Sequence, residues 1–176
     1  MSRGMAGSAS ALHFVAAPGT VVGLVPWVLT GWQAESLPSY WLPVRVSGAA
    51  MACIGIVVIA RQFVRFVVEG GGSPAPVVPT ERLVVSGLYR HVRNPMYVAV
   101  LAAVLGQAML LGRPVLLGYA DVLGVVMWLF VRWYEEPALA RQHGEAYRAY
   151  RRAVPGWLPR ADGCRRVLQV RRPRAR

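Results

Sequence analysis

The chain has 176 residues, 55% of them hydrophobic and only 16% charged, with a mean hydropathy of +0.39. An ordinary soluble domain carries about 25% charged residues, so the composition excludes that class and points to a small integral membrane protein. The formal charge of +12 comes from 20 arginines, with no lysine, against 8 acidic residues; because the arginines flank apolar runs, membrane topology and anionic lipid headgroups account for them, and nucleic acid is set aside as a partner.

Residues 1–10 are mostly small and are expected to be a disordered N-terminus. A kinked first span is expected over about residues 11–32, interrupted by Pro18 and Pro26, in preference to a cleaved secretory signal. Trp32, Tyr40 and Trp41 then cluster around a short polar connection, as aromatic residues do at headgroup level. The second span, 44–68, ends with Arg61 and Arg65 on one helix face, able to snorkel toward water. A glycine- and proline-rich loop, GGGSPAPVVPT, follows. The third span, 95–112, opens with Pro95, where a missing N–H costs nothing. Gly112-Arg113-Pro114 makes a tight turn into the fourth span, 114–134.

From Glu135-Glu136-Pro137 onward the pattern changes. Leu139, His143, Ala146, Tyr147, Tyr150 and Val154 recur at helical spacing opposite Arg141, Glu145, Arg148 and Arg152, which predicts an amphipathic helix lying on the membrane surface. From Arg160 onward come seven arginines and one aspartate, so 161–176 is read as a basic tail on anionic lipid. The expected fold class is therefore all-α: an integral membrane helical bundle of about four transmembrane helices plus a C-terminal amphipathic helix, forming one membrane-embedded domain over 11–160. Arginine counts place both termini and the loop after the second span in the cytosol. Cys53 and Cys164 have no partner spacing, and no metal site or disulfide is expected.

A turn of about three residues makes the third and fourth spans antiparallel neighbours. Their similar lengths return Glu135 and Glu136 to the depth of Arg90, His91, Arg93 and Asn94. A boundary salt bridge accounts for one such pair; a second glutamate, an asparagine and the tyrosines Tyr89 and Tyr97 suggest a binding site. Asp121 lies within the fourth span and is expected to hydrogen-bond Gln107 of the third, while His13 and His143 are expected to pack or sit at the boundary.

Arg93-Asn94-Pro95-Met96-Tyr97 opening a helix, the hairpin, Glu135-Glu136, the pair Tyr147 and Tyr150, and the exit Val154-Pro155-Gly156-Trp157-Leu158-Pro159 occur in that order over 74–160. In this the chain resembles the isoprenylcysteine carboxyl methyltransferase and phospholipid methyltransferase family. The resemblance implies S-adenosylmethionine as methyl donor, held at the cytosolic end by regions 74–97 and 135–160. With that donor, cofactor contacts are expected from Tyr89, His91, Arg93, Asn94, Pro95, Tyr97, Glu135 and Glu136, and catalytic roles for Arg93, Asn94 and Arg148, with an arginine such as Arg148 or Arg152 positioning an acceptor carboxylate. Asn94 departs from the histidine usual in the family, and an amide cannot titrate near neutral pH. The implied acceptor is lipidic or isoprenylated, with carboxyl O-methylation favoured and a bacterial plasma membrane as the setting. Two other readings stand beside this one: a nicotinamide-dependent membrane reductase related to sterol reductases, and a non-catalytic membrane scaffold.

Overall fold

The computed structural model describes residues 18–69 and 87–158. The expectations for residues 1–17, most of the loop before Gly87, Cys164 and the basic tail lie outside the described residues. Among the described residues five longer helices follow one another: α1 (Thr20–Thr30), α2 (Leu42–Glu69), α3 (Pro95–Leu111), α4 (Val115–Phe130) and α5 (Glu136–Ala153). Among the described residues there is no strand. The chain divides into two compact units, one holding α1, α2, α3 from Met96 and α4 to Met127, the other holding the segment before Met96 and everything from Trp128.

In the first unit α2 and α3 meet through residues too small to keep their backbones apart. A Cβ added at Gly48 would lie 2.7 Å from the Gly106 carbonyl oxygen, and one at Gly55 would lie 2.7 Å from that of Ala99. Ala52, Ala99 and Ala103 are buried along the same seam. Close packing of small residues is how helices associate where lipid gives no hydrophobic drive between them. The opposite face of α2 presents Ile54, Val57 and Val64, and the outer face of α4 presents Val122, Val125 and Val126, all exposed. Rows of exposed branched apolar residues suit hydrocarbon, not water.

α1 begins with a π-helical turn over Thr20–Leu24. Widening the turn leaves carbonyls to be satisfied from outside the helix. Tyr119 Oη donates to Val21 O and Gln107 Nε2 donates to Val22 O, each at 2.9 Å. This corrects the expected Asp121–Gln107 bond: the amide is taken by α1, and Asp121 is exposed on α4. Beyond α1, the connection is strapped down by Arg113, whose Nη2 lies 3.1 Å from Glu35 Oε2 and whose Nε donates to Gln33 O. Arg45 donates to the Glu35 carbonyl. Gly112, at φ +68°, makes the turn into α4, with the Leu37 side chain filling the space a Cβ would need.

Among the described residues two stretches, Ser39–Val64 and Val115–Ala153, are long and apolar enough to cross a membrane by length and composition, while Thr20–Thr30 and Pro95–Leu111 are shorter. The 17 residues of α3 reach only about 25 Å at 1.5 Å per residue.

The helix beginning at Val115 does not stop at Glu135-Glu136-Pro137, as the sequence reading expected. Pro137 cannot donate to the carbonyl four residues back and would clash with it. The chain widens into a π-helical turn over Val131–Glu135, with Glu136 N donating to Val131 O, and helix continues beyond.

In the second unit the expected single amphipathic helix is corrected as well. α5 breaks at Gly144, whose φ of 53° and ψ of −126° suit only glycine. On a straight helix Glu136 and Arg151, fifteen positions apart, would be separated by about 22 Å. Here their side chains are 3.2 Å apart. Tyr147, Tyr150 and Val154 accordingly pack back against Leu139 and Ala140, so the two halves of α5 form a short helical pair instead of one rod.

Candidate active site

The second unit gathers the basic corner before α3 and the folded-back α5. A 3₁₀ turn over Gly87–Arg90 leads to Arg93 and Asn94, whose backbone N–H groups donate to Pro155 O (2.9 Å) and Gly156 O (3.1 Å). The segment after α5 is thus laid against the corner by two main-chain hydrogen bonds. Gly156 leaves room for the guanidinium, since a Cβ would stand 3.2 Å from Arg93 Nη2.

Arg93 Nη1 donates to Glu136 Oε1 at 2.8 Å and to Tyr147 Oη at 3.3 Å. The side chains of Arg93 and Glu136 are only 14% and 9% exposed. Glu136 Oε2 faces Arg151 Nη2 at 3.2 Å, so one buried carboxylate sits between two guanidinium groups and the cluster keeps one net positive charge. Tyr150 Oη donates to the Tyr89 carbonyl at 2.7 Å, fixing the turn before Arg93. Burial raises the Tyr89 phenol well above its ordinary value of 10.0, reinforced by the negative charge of Glu135 and by Tyr150.

Among the described residues of this unit, buried Arg93 Nε and His143 Nε2 have no hydrogen-bond partner, and Glu136 Oε2 has only its ion pair with Arg151. A buried donor without a partner beside a carboxylate is a pattern that can take a polar ligand.

Of the residues singled out in the sequence, Arg93, Asn94, Pro95 and Glu136 come together, with Asn94, Pro95 and Glu136 buried. Tyr89 and Glu135 interact electrostatically beside them, and His91 is half-buried on the same segment. Tyr97 belongs to the first unit, on the opening turn of α3. Arg148 does not join the cluster: it is 67% exposed and pairs with Glu145 at 3.6 Å. The sequence reading missed Arg151, the hydroxyl of Tyr147 and the Gly156 approach as site components. Gly144 was the signal for Arg151, because a glycine in mid-helix marks where the face can change.

A family model described as phospholipid methyltransferase matches residues 44–146, and the chain belongs to this family of methyltransferases. Among individual relatives, the protein-S-isoprenylcysteine O-methyltransferase of Schizosaccharomyces pombe is 29% identical over 156 residues, covering 79% of this chain and 64% of the relative. The chain thus spans just under two thirds of that relative's length. No solved structure gives a significant match. The apolar helices and the family together make this an integral membrane protein.

Proposed function

We propose that the chain is a membrane-embedded, S-adenosylmethionine-dependent methyltransferase whose acceptor is lipidic or isoprenylated, with carboxyl O-methylation favoured. The observation that carries the reading is the cluster of Arg93, Glu136 and Arg151, in which one buried carboxylate lies between two guanidinium groups and the buried Arg93 Nε is left without a hydrogen-bond partner. The amino-acid end of the donor offers a carboxylate for Arg93 and an ammonium for Glu136, so the residues present fit the group. Bound there, S-adenosylmethionine supplies a sulfonium methyl group open to in-line attack by an acceptor oxygen.

The chain's own work in this scheme is binding, alignment and exclusion of water. Alignment alone contributes up to about 7–11 kcal/mol in model systems. Tyr89, His91, Asn94, Pro95 and Glu135 complete the donor site, with Arg93 and Asn94 closest to the chemistry. Arg148, exposed beside Glu145, is left as a solvent-side residue. An ionised carboxylate attacks through an oxygen lone pair and releases no proton, so Asn94 suffices where a titrating side chain would serve an amine acceptor. The relative named above is an isoprenylcysteine O-methyltransferase, which supports the favoured acceptor class. In the proposed topology four helical segments cross a bacterial plasma membrane, with the site facing the cytosol.

Incubating membranes that contain the protein with methyl-labelled donor, then extracting and separating the products, tests the proposal. Label should enter a hydrophobic species as a base-labile ester. Base-stable label in a lipid amine would overturn the carboxyl assignment, and no labelled product in membranes where the protein binds S-adenosylhomocysteine would overturn the acceptor class.

A further inference from the structure

One end of the first unit collects donors that the chain itself leaves unsatisfied. The 3₁₀ turn Ser39–Trp41 runs straight into α2, and Ser39–Val64 is one continuous helix. Trp41 and Arg45, four positions apart, therefore lie one turn apart on the same face. Buried Trp41 Nε1 and buried Arg45 Nε have no hydrogen-bond partner among the described residues. A buried polar atom in that state calls for an explanation in a native protein. The polar groups nearby are already engaged. Arg45 donates through Nη2 to the Glu35 carbonyl, the Glu35 carboxylate pairs with Arg113, and Arg113 Nε donates to the Gln33 carbonyl. Two guanidinium groups thus gather at Glu35, whose carboxylate neutralises one of them, and Arg45 has no carboxylate partner among the described residues.

An indole N–H and a guanidinium can only donate, so the partner that suits them carries negative charge and more than one acceptor oxygen; an amine is excluded. The surroundings say where such a group comes from. Trp27, Trp32, Tyr40 and Leu42, at this end of α1 and α2, are all exposed, as large apolar and aromatic side chains are at headgroup level. The anions abundant at that depth are the phosphates of the lipids themselves.

We infer that Trp41 and Arg45 bind the phosphodiester of one anionic phospholipid, with Arg113 as the further cation beside it. The lipid is held where the α1–α2 connection meets the turn into α4, a junction closed by the hydrogen bond from Glu35 N to Leu111 O. It is a fixed structural partner and not a methyl acceptor, and the inference stands apart from the methyltransferase reading. Arginine is the residue suited to this task, since its planar fork matches the phosphate oxygens.

The test titrates the full chain, purified in detergent, with phosphatidylglycerol, with diacylglycerol, which has the tails without the phosphate, and with inorganic phosphate as competitor. Bound lipid is counted by native mass spectrometry. The wild type should hold its first phosphatidylglycerol at least ~10-fold more tightly than diacylglycerol, because hydrogen bonds to charged groups are the strong ones. Trp41→Phe removes the indole N–H and keeps an aromatic ring, and should weaken that first copy by about 10-fold. Arg45→Gln should weaken it further; Trp41→Phe covers the case in which Arg45→Gln fails to fold. Arg171→Gln, in the basic tail, should stay within about twofold of the wild type. A wild type that does not prefer phosphatidylglycerol overturns the inference, as does an unchanged Kd in Trp41→Phe or an equal loss in Arg171→Gln. Displacement of the lipid by inorganic phosphate at comparable concentration would assign the site to free phosphate and overturn the lipid.

Discussion

Arg93 serves two structural ends at once. Its backbone N–H anchors the segment after α5 through Pro155 O, and its guanidinium reaches Glu136 and Tyr147. Replacing it with alanine removes the second and keeps the first. We expect Arg93→Ala to lose at least ~100-fold in methyl transfer and about 1–3 kcal/mol of stability, Arg151 still neutralising Glu136 in part. Arg171→Ala should match the wild type; equal loss in both, measured as labelled product per unit protein, would argue for diffuse electrostatics. Tyr89 gives a pH prediction. Its phenol holds the proton far above 10.0 when folded, whereas the unfolded chain loses it near that value. The associated stability is whole below about pH 10 and drains away above it, so thermal unfolding temperatures should fall from pH 10 upward and fall less in Tyr89→Phe. Arg93, Asn94 and Glu136 were legible in the sequence because each sits in a short local pattern tied to a helix start or a proline. Arg151 and Gly156 were not, because their places depend on a chain reversal that residue spacing does not encode.

Among the elements, α5 departs furthest from its pattern. The apolar spacing from Leu139 to Val154 fits one continuous stripe, yet Gly144 turns the chain back and stacks the second half of that stripe on the first. Gly144→Ala should cost about 1–3 kcal/mol, because a side chain is rarely tolerated at that φ and ψ. If α5 instead straightened, Arg151 would leave Glu136, so the thermal shift should be accompanied by weaker S-adenosylhomocysteine binding. A variant with wild-type stability and affinity would remove the break from the site's architecture. The starts of α2 and α3, at Leu42 and Pro95, lie within two residues of expectation, since proline and the onset of apolar sequence mark them locally. The missing stop at Glu135 was hidden because a π-helical turn accommodates Pro137 where an α-helical one would break.

For the molecule as a whole, composition alone identified a helical membrane protein, and the family match agrees. What it left unread was the pairing of helices. The seam between α2 and α3 was invisible because Gly48, Gly55 and Gly106 look like weak helix formers until a partner backbone lies against them. A Cβ at Gly106 would fall 2.6 Å from the Gly48 carbonyl oxygen and 2.5 Å from Ala52 N. Overpacking usually costs about 1–3 kcal/mol, and a clash with backbone on both sides lies at the upper end or beyond. Gly106→Val should therefore sharply reduce the yield of folded protein extracted from membranes, while Gly118→Val on α4, where a Cβ meets nothing within 4 Å, should be tolerated. Equal yields would show that the seam is not tight.

Where Gly48, Gly55 and Gly106 bring α2 and α3 too close for even a Cβ, a prenyl or acyl tail has no room to slip between those two helices. The lipidic acceptor proposed above would have to approach along some other flank. Crosslinkable lipid probes should accordingly label the exposed valines of α4 and leave the glycine faces of α2 and α3 blank.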